Sequence, residues 1–354
     1  MINPMTNAAP PKFAKTLGIL GGGQLGRMSA MAAARLGIKT HIYTPEALSP
    51  ASQVSAKTFV GDYDNKDLLK EFAESVDVIS YEFENIPIDC VKFLKTIKPV
   101  YPDENLLEIS QHRWNEKTFL NQCGIHTARW AKATSAADIQ STLEQWSLTS
   151  CIIKTTRFGY DGKGQAKIDI SNGQPIENTI QTAWESLKTD EAIIEQIVPF
   201  QCELSVIAAR DTYGKIICYP PTLNEHQNHI LSKSIAPAPL DKNIIEKSLD
   251  ITKNLVHQIG LVGVMALEMF LTKDGEIIAN EIAPRTHNSG HWTIDACSVS
   301  QFENHVRAVC GLPLGDPTPH SSAIMHNLIG DDIDHLDQYW TKPGTNIHLY
   351  GKSE

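Results

Sequence analysis

Two apolar runs, Val264 to Leu271 and Glu276 to Ala283, flank Asp274-Gly275, and this pattern calls for a β-hairpin. With Asp274 and Gly275 as the two central residues of a type I′ turn, opposed positions have numbers summing to 549, as 274 and 275 do. Glu268 and Glu281 meet that condition. Their carboxylates then face each other roughly 5 Å apart at Cβ, on strands that are otherwise apolar. Like charges opposed in a sheet destabilise it, and burial adds to the cost. A shared proton, a Lys or Arg partner, or a divalent cation would relieve the conflict. The cation favours hard oxygen ligands and is the reading carried forward.

The N-terminal part is organised differently. Thr16-Leu17-Gly18-Ile19-Leu20 reads as a short strand running into Gly21-Gly22-Gly23-Gln24-Leu25-Gly26, with a helix from Gln24 to about Leu36. Further strands are expected at Lys39 to Tyr43, Thr58 to Val60, Val76 to Ser80 and Val100 to Tyr101, with a helix at Lys66 to Glu74. Such alternation implies a Rossmann-like parallel sheet with right-handed crossovers. The glycine turn lets backbone amides approach a phosphate at a helix N-terminus. However, Thr44 stands where a ribose-binding acid should end the second strand, and Glu46 comes two residues late. An anion-binding loop, a nicotinamide oxidoreductase site and a purely structural turn all remain open.

The chain has 354 residues, a formal net charge of -10, 42% hydrophobic and 20% charged residues. That sign disfavours nucleic acid and anionic membranes as partners, although a small anion could use a local basic pocket. No apolar run approaches the roughly 18 residues of a membrane span. Met1 to Lys15, with three prolines, reads as a disordered arm and not a signal peptide. Seven scattered cysteines without a Cys-x-x-Cys pair suggest reduced, core-filling thiols in a cytosol. The expected division is an arm at 1–15, a first domain at 16–108, a second at 109–312 and a C-terminal segment at 313–354 that follows a Pro-rich linker. In the second domain a polar helix is expected from Ser110 to Gly124, and a helix with apolar positions at Ile244, Ile245, Leu249, Ile251 and Leu255 from Asn243 to Gly260. Strands are expected at Cys151 to Lys154, Ala192 to Gln196, Glu203 to Ala209 and Ile216 to Tyr219.

Lys154 ends a strand, so its ammonium can reach forward to a phosphate, and three glycines follow within the loop Gly159-Tyr160-Asp161-Gly162-Lys163-Gly164-Gln165. Amides of such a loop can fold over phosphate oxygens. It is not a P-loop, because the spacing differs, and a tight hairpin with solvated charges is the plain alternative. Asp161 is unexpected in a loop that only binds phosphate. His287-Asn288-Ser289-Gly290-His291-Trp292-Thr293 is dense in polar donors. His287 and His291 have a spacing seen in zinc sites, but a hydrogen-bonding wall for a polar ligand suits the loop better.

Together these stretches, with Arg27-Met28, Tyr81-Glu82-Phe83-Glu84-Asn85 and Asn280-Glu281-Ile282-Ala283-Pro284-Arg285, resemble the ATP-grasp superfamily. Within it they resemble the ligases that carboxylate aminoimidazole ribonucleotide in purine biosynthesis, from Leu17 onward. The resemblance implies an ATP-grasp fold after the first domain, ATP and Mg²⁺ (or Mn²⁺) as cofactors, and bicarbonate and 5-aminoimidazole ribonucleotide as small-molecule substrates. It also implies carboxyphosphate as intermediate and a cytoplasmic homodimer. By position, Arg113, Lys154, the loop Gly159 to Gln165, Glu195, Gln196, Ile197 and Val198 look like nucleotide contacts. Glu203, His226, Asn280 and Glu281 join them. Glu268 and Glu281 look like the metal ligands, and Asp161, Tyr160 and Lys163 like catalytic residues, with Asp161 the acid–base group at the amine. Gly23, Gln24, Leu25, Glu82 and Asn85 look like the substrate side, as do Arg285, His287, Asn288, Ser289 and Lys352. Lys163 stands where the family often has arginine, which turns a bidentate contact into a point charge. The family usually continues past Glu354 with a basic tail, so the C-terminal segment is expected to be incomplete. A formate-using transformylase is the nearest rival, and a nucleotide-binding protein without turnover a more distant one.

Overall fold

The protein, seen as a computed structural model, is described for residues 14–159, 163–171 and 176–352. Tyr160, Asp161 and Gly162, and the expected arm up to residue 13, lie outside them. Ala14 and Lys15 are tied down, since Ala14 N–H donates to Cys310 O at 3.0 Å and Lys15 N–H to Asp77 Oδ2 at 2.8 Å.

Alternating strands and helices give a four-stranded parallel sheet in the order Lys57–Val60, Lys39–Thr44, Thr16–Leu20, Val78–Tyr81. The order reverses between the last two, whose carboxyl ends (Leu20 paired with Tyr81) open a crevice where ligands bind in such sheets. Leu17, Ile19 and Ile42 pack one face of this sheet against Phe302, Val306 and Val309 of helix Gln301–Val309. The first sheet is thereby fixed on the second unit.

That second unit holds two sheets. One has seven strands around the long antiparallel pair Phe200–Arg210 and Gly263–Thr272, with Ile277–Ala283 at one edge. Strand Ala323–His326 adds to its other edge, against Ile230–Ala236. Helix Lys242–Ile259 covers one face through Leu255 and Val256, and Gly260 ends it at φ 65°. The other sheet has four antiparallel strands, Trp130–Ala133, Ala192–Glu195, Ser150–Thr155 and Gln165–Asp169, backed by helices Ala136–Trp146 and Ile176–Leu187. The helix expected from Ser110 to Gly124 is Arg113–Gln122, and a separate helix, Glu104–Ser110, precedes it. His112 adopts an extended backbone between them, and its ring accepts from Trp114 N–H as an N-cap. All seven cysteines are unpaired, five buried and two half-buried. Among the described residues no helix is long and apolar enough to cross a membrane.

His305 bolts the two units together. Its Nδ1 accepts from Val264 N–H at 3.2 Å, which leaves Nε2 to donate to Ser80 Oγ at 2.8 Å. Burial pushes its pKa down to about 4 from 6.5. The unfolded chain therefore binds the proton first as pH falls. This contribution to stability is complete above about pH 6.5 and shrinks toward about pH 4, by about 1.4 kcal/mol per unit. Denaturant titrations should show wild type losing about 2 kcal/mol more than His305→Gln between about pH 7 and pH 5. Equal losses would contradict the buried neutral ring.

Candidate active site

Glu268 and Glu281 do face each other across the hairpin, by a route the turn rule does not give. The loop has three residues, Lys273-Asp274-Gly275, closed by Thr272 N–H to Glu276 O at 2.9 Å and Gly275 N–H to Thr272 O at 3.1 Å. A type I′ turn needs positive φ at both central residues, and only Gly275 has it, at 77°. The pairing near the turn is accordingly shifted by one, with Leu271 opposite Ile277 and Met269 opposite Ala279. A bulge at Asn280 then restores the opposition of Glu268 and Glu281.

The two carboxylates engage different partners. Glu268 Oε1 lies 2.8 Å from His287 Nε2, and Glu281 Oε2 accepts from Arg113 Nη1 at 3.3 Å. Burial would raise the Glu268 carboxyl, but the His287 hydrogen bond and the charges of His287, His226 and Arg285 outweigh it, holding it below the usual range. Among the described residues, Glu268 Oε2 and Glu281 Oε1 have no hydrogen-bond or ion-pair partner. No cluster of three or more His, Cys, Asp or Glu able to hold a metal occurs among them either. Two opposed hard oxygens without a protein cage suit Mg²⁺, which takes one or two carboxylates and completes its shell with waters and substrate phosphates.

Behind the pair is a buried charge network. Lys117, only 1% exposed, donates to Asn280 O at 2.8 Å and lies 3.0 Å from Glu195, which also meets Lys154 at 2.5 Å. Burial would raise the Glu195 carboxyl, but the two lysines pull it well below the carboxylate range. Burial lowers Lys154, and the Arg113 and Lys117 charges add to this against the pull of Glu195. Glu116 Oε1 accepts from Ile282 N–H at 2.6 Å, and burial and the Glu281 charge push its carboxyl up to about 8. On the other side His226 bonds Glu203, chiefly through which its pKa is raised.

The carboxylate pair, with Arg113, Lys154, Glu203 and His226, borders a cleft of about 1860 Å³ between the first sheet and the two others. It gathers Arg113, Lys154, Gly159, Lys163, Gly164 and Gln165 with Glu203, His226, Glu268, Asn280 and Glu281. Gly23, Gln24, Leu25, Glu82, Asn85, Arg285, His287, Asn288 and Lys352 line the same cleft. Glu195 to Val198 and Ser289 do not line it. Glu195 is instead locked under the wall by its lysines. Ser289 works from behind, with its Oγ 2.9 Å from His287 Nδ1 while accepting from Ser205 Oγ at 2.7 Å. Asn224 donates to Ser205, and Ser234 to Asn224. This buried chain orients His287 toward Glu268.

His291 does not join His287 at one point, so the zinc reading fails. Its Nδ1 turns to Gln301 Nε2 at 3.4 Å, and Gln301 Nε2 also donates to His287 O at 2.6 Å. Sequence reasoning missed Lys117 and Glu116, although Arg113, Glu116 and Lys117 share a helix face at i, i+3, i+4. It also missed Phe200 and Phe270, ring-stacked at 4.8 Å in the cleft wall from separate strands.

The glycine turn holds no free anion cradle. Glu82, at the end of strand Val78–Tyr81, accepts from Gly23 N–H and from Gly26 N–H at 2.6 Å. Burial raises its carboxyl, partly offset by these amides and the Arg285 charge. A carboxylate thus stands where a dinucleotide pyrophosphate would, which removes the nicotinamide reading. Arg285 forks onto both oxygens of Glu84, with Nη2 3.0 Å from Oε1, and Gln111 Nε2 clamps the Glu84 and Ile86 carbonyls at 2.7 Å each.

Residues 118–302 match the ATP-grasp domain, residues 14–111 the ribonucleotide synthetase preATP-grasp domain, and residues 323–354 the phosphoribosylaminoimidazole carboxylase C-terminal domain. Fold and site together define an ATP-grasp enzyme. The chain is 44% identical over 343 residues to an N5-carboxyaminoimidazole ribonucleotide synthase of Brucella melitensis, covering 97% of this chain and 93% of that one. An ADP complex of an N5-carboxyaminoimidazole ribonucleotide synthetase superposes with TM-score 0.91 at 39% identity, covering 96% and 89%. The Aspergillus clavatus synthase in complex with ADP and 5-aminoimidazole ribonucleotide gives 0.88 at 28% identity, covering 97% and 90%. The chain belongs to the N5-carboxyaminoimidazole ribonucleotide synthase family.

Proposed function

We propose that this enzyme uses ATP and bicarbonate to carboxylate the exocyclic amine of 5-aminoimidazole ribonucleotide, in purine biosynthesis. The products are N5-carboxyaminoimidazole ribonucleotide, ADP and phosphate. The observation that carries the reading is the opposed Glu268–Glu281 pair in a cleft that also gathers Arg113, Lys154 and His226. Glu268 and Glu281 would hold Mg²⁺, or Mn²⁺ in its place, which when bound offsets charge on the nucleotide phosphates. Arg113, Lys154 and Lys163 face the same negative charge as the γ-phosphoryl group passes to bicarbonate, a step that asks mainly for positioning and electrostatic stabilisation. The resulting carboxyphosphate is labile in water, so a glycine loop able to close over the site would protect it. Asp161 takes the proton from the amine as the carbon–nitrogen bond forms and phosphate leaves. Glu82, Asn85, Arg285, His287, Asn288 and Lys352 form the ribonucleotide side.

Phosphate release from ATP is the test, with bicarbonate and aminoimidazole ribonucleotide each omitted in turn. Full turnover should need both, and dependence on formate would overturn the assignment. Asp161→Asn should keep ATP binding by calorimetry and lose the carboxylated product. An unchanged rate would remove Asp161 from the proton step. The matched ranges support a division into 16–108, 109–312 and 313–354. A cytosolic homodimer is part of the same proposal, and sedimentation equilibrium would test the dimer.

A further inference from the structure

We infer that the glycine-rich turn Gly21 to Gly26 serves as a rigid mount for the Glu82 carboxylate, making Gly23 a positioning residue for the ribonucleotide side of the site. The inference rests on the proposed function only where it names what Glu82 meets. The mount itself stands on the local geometry.

The turn has the features of a phosphate cradle. A strand leads in, and the helix Gln24–Arg35 leads out with its first amides pointing back along its axis. Helix N-termini favour an anion there. The chain supplies that anion from 59 and 56 residues away, the separations of the Gly23 and Gly26 bonds to Glu82. Parallel pairing of Leu20 with Tyr81 brings it there, because the residue after each strand emerges into the same crevice. The glycines make room for it. A Cβ on Gly21, whose φ is 102°, would stand 2.5 Å from Glu82 Cγ. One on Gly23 would stand 2.7 Å from Glu82 Oε1 and 3.0 Å from Oε2. Glu82 is 8% exposed and borders the cleft beside Asn85 and Arg285. A carboxylate fixed by two amides keeps its remaining lone pairs in set directions. It can accept from a hydroxyl or amine without first losing side-chain freedom.

Gly23 offers a clean test. Its backbone, at φ -77° and ψ -165°, suits alanine, and the three atoms nearest a new Cβ all belong to Glu82. Gly23→Ala should therefore push on the carboxylate with little backbone strain. A shift of about 1 Å should lower kcat/KM for aminoimidazole ribonucleotide by about 10- to 100-fold. The KM for ATP and the melting temperature should stay near wild type, a split that general loosening of the fold would not give. Glu82→Ala should lose the same parameter, and its vacated amides should take formate. Formate should then raise the melting temperature of Glu82→Ala and not that of wild type, and recover part of the rate. An unchanged KM for the ribonucleotide in Gly23→Ala would overturn the positioning role. Absence of a formate-specific melting shift in a folded Glu82→Ala would overturn the mount. Should Glu82→Ala not fold, Gly23→Ala decides alone. Wild type that shows no ribonucleotide-dependent turnover would instead refute the proposed function, leaving the melting measurement to judge the mount.

Discussion

Glu281→Ala is expected to remove ADP formation almost entirely, by about 100- to 1000-fold or more in kcat, while the fold survives. In the proposed metal site Glu281 supplies one of the two opposed oxygen ligands, and its carboxylate is the one Arg113 meets at 3.3 Å. Without it, Glu268 would hold the cation alone and Arg113 would lose its anchor beside the nucleotide phosphates. The side chain is 40% exposed, so its ion pair is screened by water, and the change should alter stability by about 1 kcal/mol at most. Coupled measurement of ADP release and Mn²⁺ binding by electron paramagnetic resonance would show both losses together. Near-normal turnover in excess Mg²⁺ would refute the metal assignment.

Lys117→Met should produce the largest loss of stability, about 3–5 kcal/mol. Lys117 and Glu195 are 1% and 6% exposed at their side chains. Removing one partner of a buried pair leaves the other charge undercompensated, and Asn280 O loses its donor as well. Lys154 still meets Glu195, so the loss should not extend to complete unfolding. Urea denaturation should show a lower midpoint with an unchanged slope. A loss below about 1 kcal/mol would mean that Lys154 alone satisfies Glu195. Because Asn280 is the bulged residue beside Glu281, the same variant should also weaken Mn²⁺ binding.

Local patterning was enough wherever the deciding interaction was local. The strand, glycine turn and helix at Thr16 to Arg35 follow from residues adjacent in sequence. So does the amphipathic helix ending at Gly260. The Glu268–Glu281 register was reached because two departures cancel. The loop has one residue more than the turn rule assumes, and Asn280 adds one to the opposite strand. Reading the number right did not reveal the bulge, whose Asn280 carbonyl accepts from Lys117 beneath it. Lys117 itself reads as one more solvated lysine on a polar helix, and only the packing of strand Ile277–Ala283 over that helix buries it. The residues of the four-stranded antiparallel sheet are mixed in character, and its outer strands Trp130–Ala133 and Gln165–Asp169 gave no clear period. Trp130–Ala133 finds its partner Ala192–Glu195 far along the chain, whereas Gln165–Asp169 pairs with the neighbouring Ser150–Thr155 across the glycine loop.

The sequence by itself determined that two apolar strands carrying an acid each form a hairpin and that a parallel-sheet domain opens with a glycine turn. Periodicity and turn chemistry act over a few residues, and both features need no more. The tertiary structure alone decided which groups meet those features. It set Arg113 and His287 on the two carboxylates, and it filled the glycine turn with Glu82. Electrostatic partners are chosen by distance in space, and those distances exist only once the sheets have been brought together.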